Sequence, residues 1–107
     1  EAALNSNTTA SDNTAVGKSA LQYNTTGTQN TAIGGTALAS NTTGGQNIAG
    51  GLNSMFYNTT GTQNSAFGVA ALQSNTTASD NTAVGYTALL SNTTGTRNTW
   101  CQYNGVE

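Results

Sequence analysis

Apolar and polar positions recur along this chain in a frame of 17 residues that never slips. The asparagine that opens each unit stands at Asn13, Asn30, Asn47, Asn64, Asn81 and Asn98, with no insertion or deletion between them. The full units read NTAVGKSALQYNTTGTQ, NTAIGGTALASNTTGGQ, NIAGGLNSMFYNTTGTQ, NSAFGVAALQSNTTASD and NTAVGYTALLSNTTGTR, with a partial unit at each end. A longer echo, SNTTASDNTAVG, occurs at Ser6 to Gly17 and again at Ser74 to Gly85, which marks duplication. A fixed period without indels places each residue above its equivalent in the coil before it, so that neighbouring coils supply one another's hydrogen bonds.

A 17-residue unit is about half the length of helix-turn-helix repeats and suits a β-solenoid coil. The filling of the coils agrees, because Thr, Asn and Gly are poor helix formers. Glycine recurs at the fifth position as Gly17, Gly34, Gly51, Gly68 and Gly85, the signature of a corner that needs positive φ or a close backbone approach. The pattern predicts one short strand before that glycine, a second around the Ala-Leu pair, and NTT-G-x-x as the return turn. The expected fold is all-β, a parallel β-solenoid or β-roll of about six coils. Residues 1–107 then form a single repetitive segment, expected to be part of a longer fibre.

Column by column, the large apolar residues fall in two places. The fourth position holds Val16, Ile33, Gly50, Phe67, Val84 and Cys101; the ninth holds Leu4, Leu21, Leu38, Met55, Leu72, Leu89 and Val106. Both columns are expected to face inward. Ala15, Ala32, Ala49, Ala66 and Ala83 in one column, and Ala3, Ala20, Ala37, Ser54, Ala71 and Ala88 in another, would let facing sheets approach closely. Where Gly50 leaves a gap the next coil supplies Phe67, whose ring is expected to fill it, since interiors do not tolerate an empty site beside an oversized one. A Phe67 ring in solvent would overturn this register. The first-position asparagines and those at the twelfth position, Asn7, Asn24, Asn41, Asn58, Asn75 and Asn92, would stack as two side-chain amide ladders at a spacing of about 4.8 Å. The last column carries Asp12, Gln29, Gln46, Gln63, Asp80 and Arg97, so one charge contact is available, between Asp80 and Arg97.

Composition narrows the chemistry. Only 35% of the 107 residues are hydrophobic, and two large apolar residues per coil fall short of the cost of ordering the whole coil. Ladder hydrogen bonds and association with other chains are expected to make up the difference. With two basic and four acidic residues and a net charge of −2, the chain offers no field for nucleic acid or an anionic membrane, and it has no long apolar run for membrane insertion. It opens on Glu1 in mid-pattern, as a processed or excised piece would. There is no histidine, and a single thiol, Cys101, occupies the fourth column, where a small buried hydrophobe is the favoured reading over an interchain bridge. No catalytic triad or dyad, metal cluster or cofactor site is expected, and the turns lack the aspartates of calcium-binding β-rolls. The chain is therefore not expected to be an enzyme. Trp100 and Tyr103 are read as a terminal cap, and Met55, Phe56 and Tyr57 as local repacking around Gly50.

The NTAVG and NTAIG strands, each followed two residues later by an Ala-Leu pair as in Gly17-Lys18-Ser19-Ala20-Leu21, resemble the N-S-x-A-I-G repeats of trimeric autotransporter adhesin heads. The resemblance covers nearly the whole chain and implies a left-handed β-roll that trimerises and binds host matrix or surfaces. Asn/Thr/Gly-rich repeats of phage tail fibres and other surface proteins are similar. The 17-residue period departs from the adhesin pattern, being longer by an NTTG turn.

These readings converge on a structural fibre or filament module, adhesive and exposed outside the cell or on a virion. Its expected partner is itself, as a trimer or a head-to-tail filament, together with a host surface, matrix or glycan. Two motifs add alternatives. Each NTT is an N-glycosylation acceptor sequence, at Asn7, Asn24, Asn41, Asn58, Asn75 and Asn92, although a structural turn is favoured. Thr-x-Thr at Thr26 and Thr28, Thr60 and Thr62, and Thr94 and Thr96 is a candidate surface for ice or glycans, interrupted in other coils by Ser11, Gly45 and Ser79.

Overall fold

The computed structural model describes residues 2–101, which form a β-solenoid with one strand in each coil. The strands are β1 (Thr14–Val16), β2 (Thr31–Ile33), β3 (Ile48–Gly50), β4 (Ser65–Phe67), β5 (Thr82–Val84) and β6 (Thr99–Cys101). They make one parallel sheet in chain order, and every pair is offset by 17 residues: Ala15 lies beside Ala32, Ala32 beside Ala49, and Gly50 beside Phe67. Tyr103 and Val106, assigned above to the cap and to the ninth column, lie outside the described residues.

The expected second strand around the Ala-Leu pair is not formed. That stretch is a chain of turns in which Ser19, Leu21 and their equivalents take left-handed backbone conformations, with φ of 59° at Ser19 and 50° at Leu21. Turn bonds run from the Ala20 N–H to the Gly17 carbonyl and from the Asn24 N–H to the Leu21 carbonyl. Between coils the Leu21 N–H donates to the Ala37 carbonyl at 3.0 Å, and the Leu38 N–H to that of Ser54 at 3.0 Å. The coils are thus laddered here without being strands. The corner glycines match their expectation, with φ between 123° at Gly85 and 132° at Gly68. A Cβ at Gly34 would sit 2.7 Å from the Gly51 carbonyl carbon, so the corner forbids a side chain on steric as well as conformational grounds.

The interior is built from small and amide side chains. Ala32, Ala49, Ala66 and Ala83 of the strands pack against Ala20, Ala37, Ala71 and Ala88 and against Leu21, Leu38, Met55 and Leu72 from the turns, all fully buried. Ser54 takes the place of an alanine, its hydroxyl directed at the Ala66 and Ala71 carbonyls at 3.2 and 3.4 Å. Each fully buried leucine contributes about 1.5–3 kcal/mol.

The fourth column does not belong to this core. Val16, Ile33, Phe67 and Val84 are 58, 51, 47 and 42% exposed, and Cys101 is exposed as well. The reason is the two-residue period of a strand: with the central alanine facing in, its neighbours on both sides must face out. The leucine from the opposite turn fills the space beneath the sheet, leaving room for no more than a methyl group on the strand. Phe67 does lean over Gly50, its Cδ1 lying 3.1 Å from where a Gly50 Cβ would stand, but it does so on the outer surface, so the expected filling of the interior is not formed. The register nonetheless stands, because Gly50 pairs with Phe67 and only the direction of the column is reversed.

Candidate interaction surfaces

Two buried asparagine columns define the inner edge of the return turn, and they are not equivalent. At the twelfth position the side-chain amides form a true ladder: Asn24 Nδ2 donates to Asn7 Oδ1 at 2.9 Å, Asn41 to Asn24 at 2.8 Å, Asn58 to Asn41 at 2.8 Å, Asn75 to Asn58 at 2.9 Å and Asn92 to Asn75 at 3.2 Å. At the first position the ladder runs mainly from backbone N–H to side-chain carbonyl. The Asn30 N–H donates to Asn13 Oδ1 at 2.9 Å, and the same step repeats at Asn47, Asn64, Asn81 and Asn98. The two columns meet at one carbonyl per coil: Gly44 O accepts both Asn30 Nδ2 and Asn41 Nδ2, each at 2.8 Å. Gly27, Gly61, Ala78 and Gly95 serve the same role in the other coils.

This arrangement bears directly on the acceptor sequences for N-glycosylation. Asn24, Asn41, Asn58 and Asn75 are fully buried, and each Nδ2, the atom that would carry a sugar, already donates two hydrogen bonds. Asn7 and Asn92 at the ends are half-buried with Nδ2 engaged as well. The NTT tripeptides are turns whose asparagine holds the stack together, and at Asn24, Asn41, Asn58 and Asn75 the side-chain nitrogen is enclosed and engaged in the folded coil.

Outside the ladders, three kinds of surface emerge. The first is the outer face of the sheet, where Val16, Ile33, Phe67 and Val84 are exposed together with Ile48 of the second column, and it is followed past the glycine corner by exposed Leu52, Val69 and Tyr86 of the sixth. Lys18 is the one charged residue in these columns among the described residues. Apolar groups of this size, side by side on a rigid sheet, form a patch of the kind that marks an interaction site.

The second is the threonine face. Thr26, Thr28, Thr60, Thr94 and Thr96 are exposed, while Thr62 is half-buried with its hydroxyl 3.1 Å from that of Ser79. The fourteenth position, however, is threonine in every coil: Thr9, Thr26, Thr43, Thr60, Thr77 and Thr94 all stand exposed in one rank. That unbroken column was visible in the sequence and is hidden by looking for Thr-x-Thr pairs. The neighbouring thirteenth-position threonines Thr8, Thr25, Thr42, Thr59 and Thr76 are occupied, their hydroxyls bonding the next coil's backbone, as Thr25 Oγ1 does to the Thr42 carbonyl at 3.1 Å.

The third surface is aromatic. Tyr23 and Tyr57 of the eleventh column project from coils two apart, and the Phe56 ring meets that of Tyr57 edge-on with centroids 4.7 Å apart. Among the described residues no pocket opens into any of these faces. Asp80 and Arg97 stand exposed in successive coils, but no ion pair joins them. Their ends reach into water, where pairing is worth little and side-chain entropy opposes it. No family model, no curated protein and no solved structure matches the chain.

Proposed function

We propose that the chain is a structural fibre or filament module, displayed outside the cell or on a virion, whose coils supply length and stiffness. Its apolar sheet face joins it side by side to further copies of itself. The observation that carries this reading is the fourth column: Val16, Ile33, Phe67 and Val84 are held half-exposed in a rigid row although the coil interior has no room for them. Burying that row against another copy supplies the apolar area that the thin interior lacks. A trimer is the state that the resemblance to adhesin heads implies, with the polar turn faces left free for a host surface or matrix. No catalysis is assigned to it. Light scattering of the purified chain tests the reading. Concentration-dependent trimers or rods that revert to monomers in an Ile33→Ser/Val84→Ser variant support it, and a wild-type chain that stays monomeric at every concentration overturns it.

The threonine rank favours a second reading, adsorption to ice. Exposed hydroxyls at the fourteenth position repeat every coil, at about 4.8 Å, and second-neighbour water oxygens in a tetrahedral network with bonds of about 2.8 Å lie about 4.5 Å apart. Thermal hysteresis that disappears in Thr43→Tyr or Thr60→Tyr variants supports it, and none in the wild type removes it.

A further inference from the structure

We propose that Tyr23 and Tyr57 form a stacking site for an extended β-1,4-linked polysaccharide, the flat-ribbon backbone that cellulose and chitin share. This goes beyond the fibre reading and uses a different column of the coil. Tyr23 and Tyr57 are 54 and 51% exposed and occupy the same position of the repeat in coils two apart.

Their separation is fixed by backbone bonds, not by loop conformation. The Tyr23 N–H donates to the Ala39 carbonyl at 3.0 Å, the Ser40 N–H to that of Phe56 at 3.1 Å and the Tyr57 N–H to that of Gln73 at 3.1 Å. The eleventh column therefore advances one coil at a time, and the backbone positions from which the two tyrosines project stand about 9.5 Å apart. In a β-1,4-linked ribbon each pyranose is turned over relative to the one before it, so equivalent faces recur once per disaccharide, which is the length scale of this spacing. The sugar faces carry axial C–H groups with partial positive charge, and the faces of aromatic rings are negative, so the two stack.

The surroundings suit such a ligand. Ser40 stands between the tyrosines and is small enough to let a ribbon cross from one ring to the other. Gln22 and Gln73, each preceding an eleventh-position residue, are half-buried, and neither their side-chain amides nor the Ser40 hydroxyl bonds any described residue. These groups remain available to sugar hydroxyls. Phe56, edge-on to Tyr57, restrains that ring and lowers the entropy lost on stacking. The absence of a pocket among the described residues fits the side of a polymer better than a small sugar or a chain end.

Depletion binding to microcrystalline cellulose and, in parallel, to chitin provides the test, using the wild-type chain and its Tyr23→Ala, Tyr57→Ala, double-alanine, Tyr23→Phe and Ile33→Ser variants. Each single alanine variant is expected to bind roughly tenfold more weakly and the double variant not to be retained, whereas Tyr23→Phe keeps its ring and binds as the wild type does. Retention of the wild type on cellulose alone, chitin alone or both, lost in the double-alanine variant, supports the site and identifies the accepted source. Ile33→Ser should still bind, whatever its oligomeric state, which separates this site from the fibre interface. No retention of the wild type on either polymer, or equal retention of the double-alanine variant, overturns the proposal.

Discussion

Asn41 donates its side-chain amide to the side-chain carbonyl of Asn24, its equivalent one coil earlier, at 2.8 Å, with both residues fully buried. This contact repeats the length of the stack and is directional, every amide pointing toward the preceding coil. It lets a chain with so little apolar matter have an interior at all, because each buried amide that would be costly alone is satisfied by its neighbours.

Removing one rung tests that account. Asn41→Ala leaves Asn24 Oδ1 without its donor, takes the acceptor from Asn58 Nδ2, and strips one of two donors from the Gly44 carbonyl. Stranded buried polar groups cost about 1–3 kcal/mol each, so a loss of roughly 2–4 kcal/mol is expected, read as a fall in the urea midpoint. Thr43→Ala, two residues away on the exposed rank, should change stability by no more than about 0.5 kcal/mol. Equal effects would mean that the ladder does not stabilise the fold.

Leu38 and Ile33 make the corresponding comparison for apolar residues. Leu38 is fully buried and Ile33 is 51% exposed. Leu38→Ala should cost about 2–5 kcal/mol and Ile33→Ala well under half of that, measured on dilute samples in which copies do not associate. At high concentration Ile33→Ala should lose further ground against the wild type if copies meet through the sheet face.

The same two residues show where the sequence is informative and where it is not. Register was legible throughout, because a period without indels fixes which residues stack: the pairing of Gly50 with Phe67, the twelfth-position Asn ladder and the glycine corner all depend on register alone, whereas the expected burial of the Phe67 ring depended on direction and failed. Direction was not legible from size. In Thr-Ala-Ile the larger apolar residue looked like core, yet a three-residue strand alternates, and Ala32 took the inside because Leu38 reaches across from the turn. That leucine also conceals the missing second strand: its left-handed φ of 51° turns the chain where the composition suggested extension. Of the candidate surfaces, the threonine rank could be read from the repeat. The apolar face could not, since it required knowing that the fourth column points out.

Glycine at the corner is a stringent requirement. At Gly34, φ is 129° and an added Cβ would meet the Gly51 carbonyl carbon at 2.7 Å and oxygen at 2.8 Å, backbone atoms that cannot move without disturbing the next coil. Gly34→Ala is expected to destabilise by more than about 2 kcal/mol and to broaden the unfolding transition, since strain in one coil passes to its neighbours. Gly35→Ala, one residue on, meets only the Leu52 Cδ1 at 3.1 Å, the flexible end of a side chain, and should be close to neutral.

The last column of the coil offers the converse experiment, in which stability is gained. Gln29, Gln46 and Gln63 hold left-handed conformations with φ of 58°, 59° and 57° while their side chains lie exposed. A residue other than glycine or asparagine costs roughly 1 kcal/mol there, and nothing buried depends on the glutamine side chain beyond one exposed contact of 3.2 Å from Gln46 to Gln29. Gln46→Asn should therefore raise the thermal midpoint, since asparagine visits this region routinely, and Gln46→Val should lower it, because a β-branched residue is a true outlier at positive φ. The pair isolates backbone strain from packing, as neither substitution changes the core. If both variants melted together with the wild type, the left-handed turn at this column would carry no strain, and the thirteenth- and first-position hydrogen bonds would have to account for the shape of the return turn on their own.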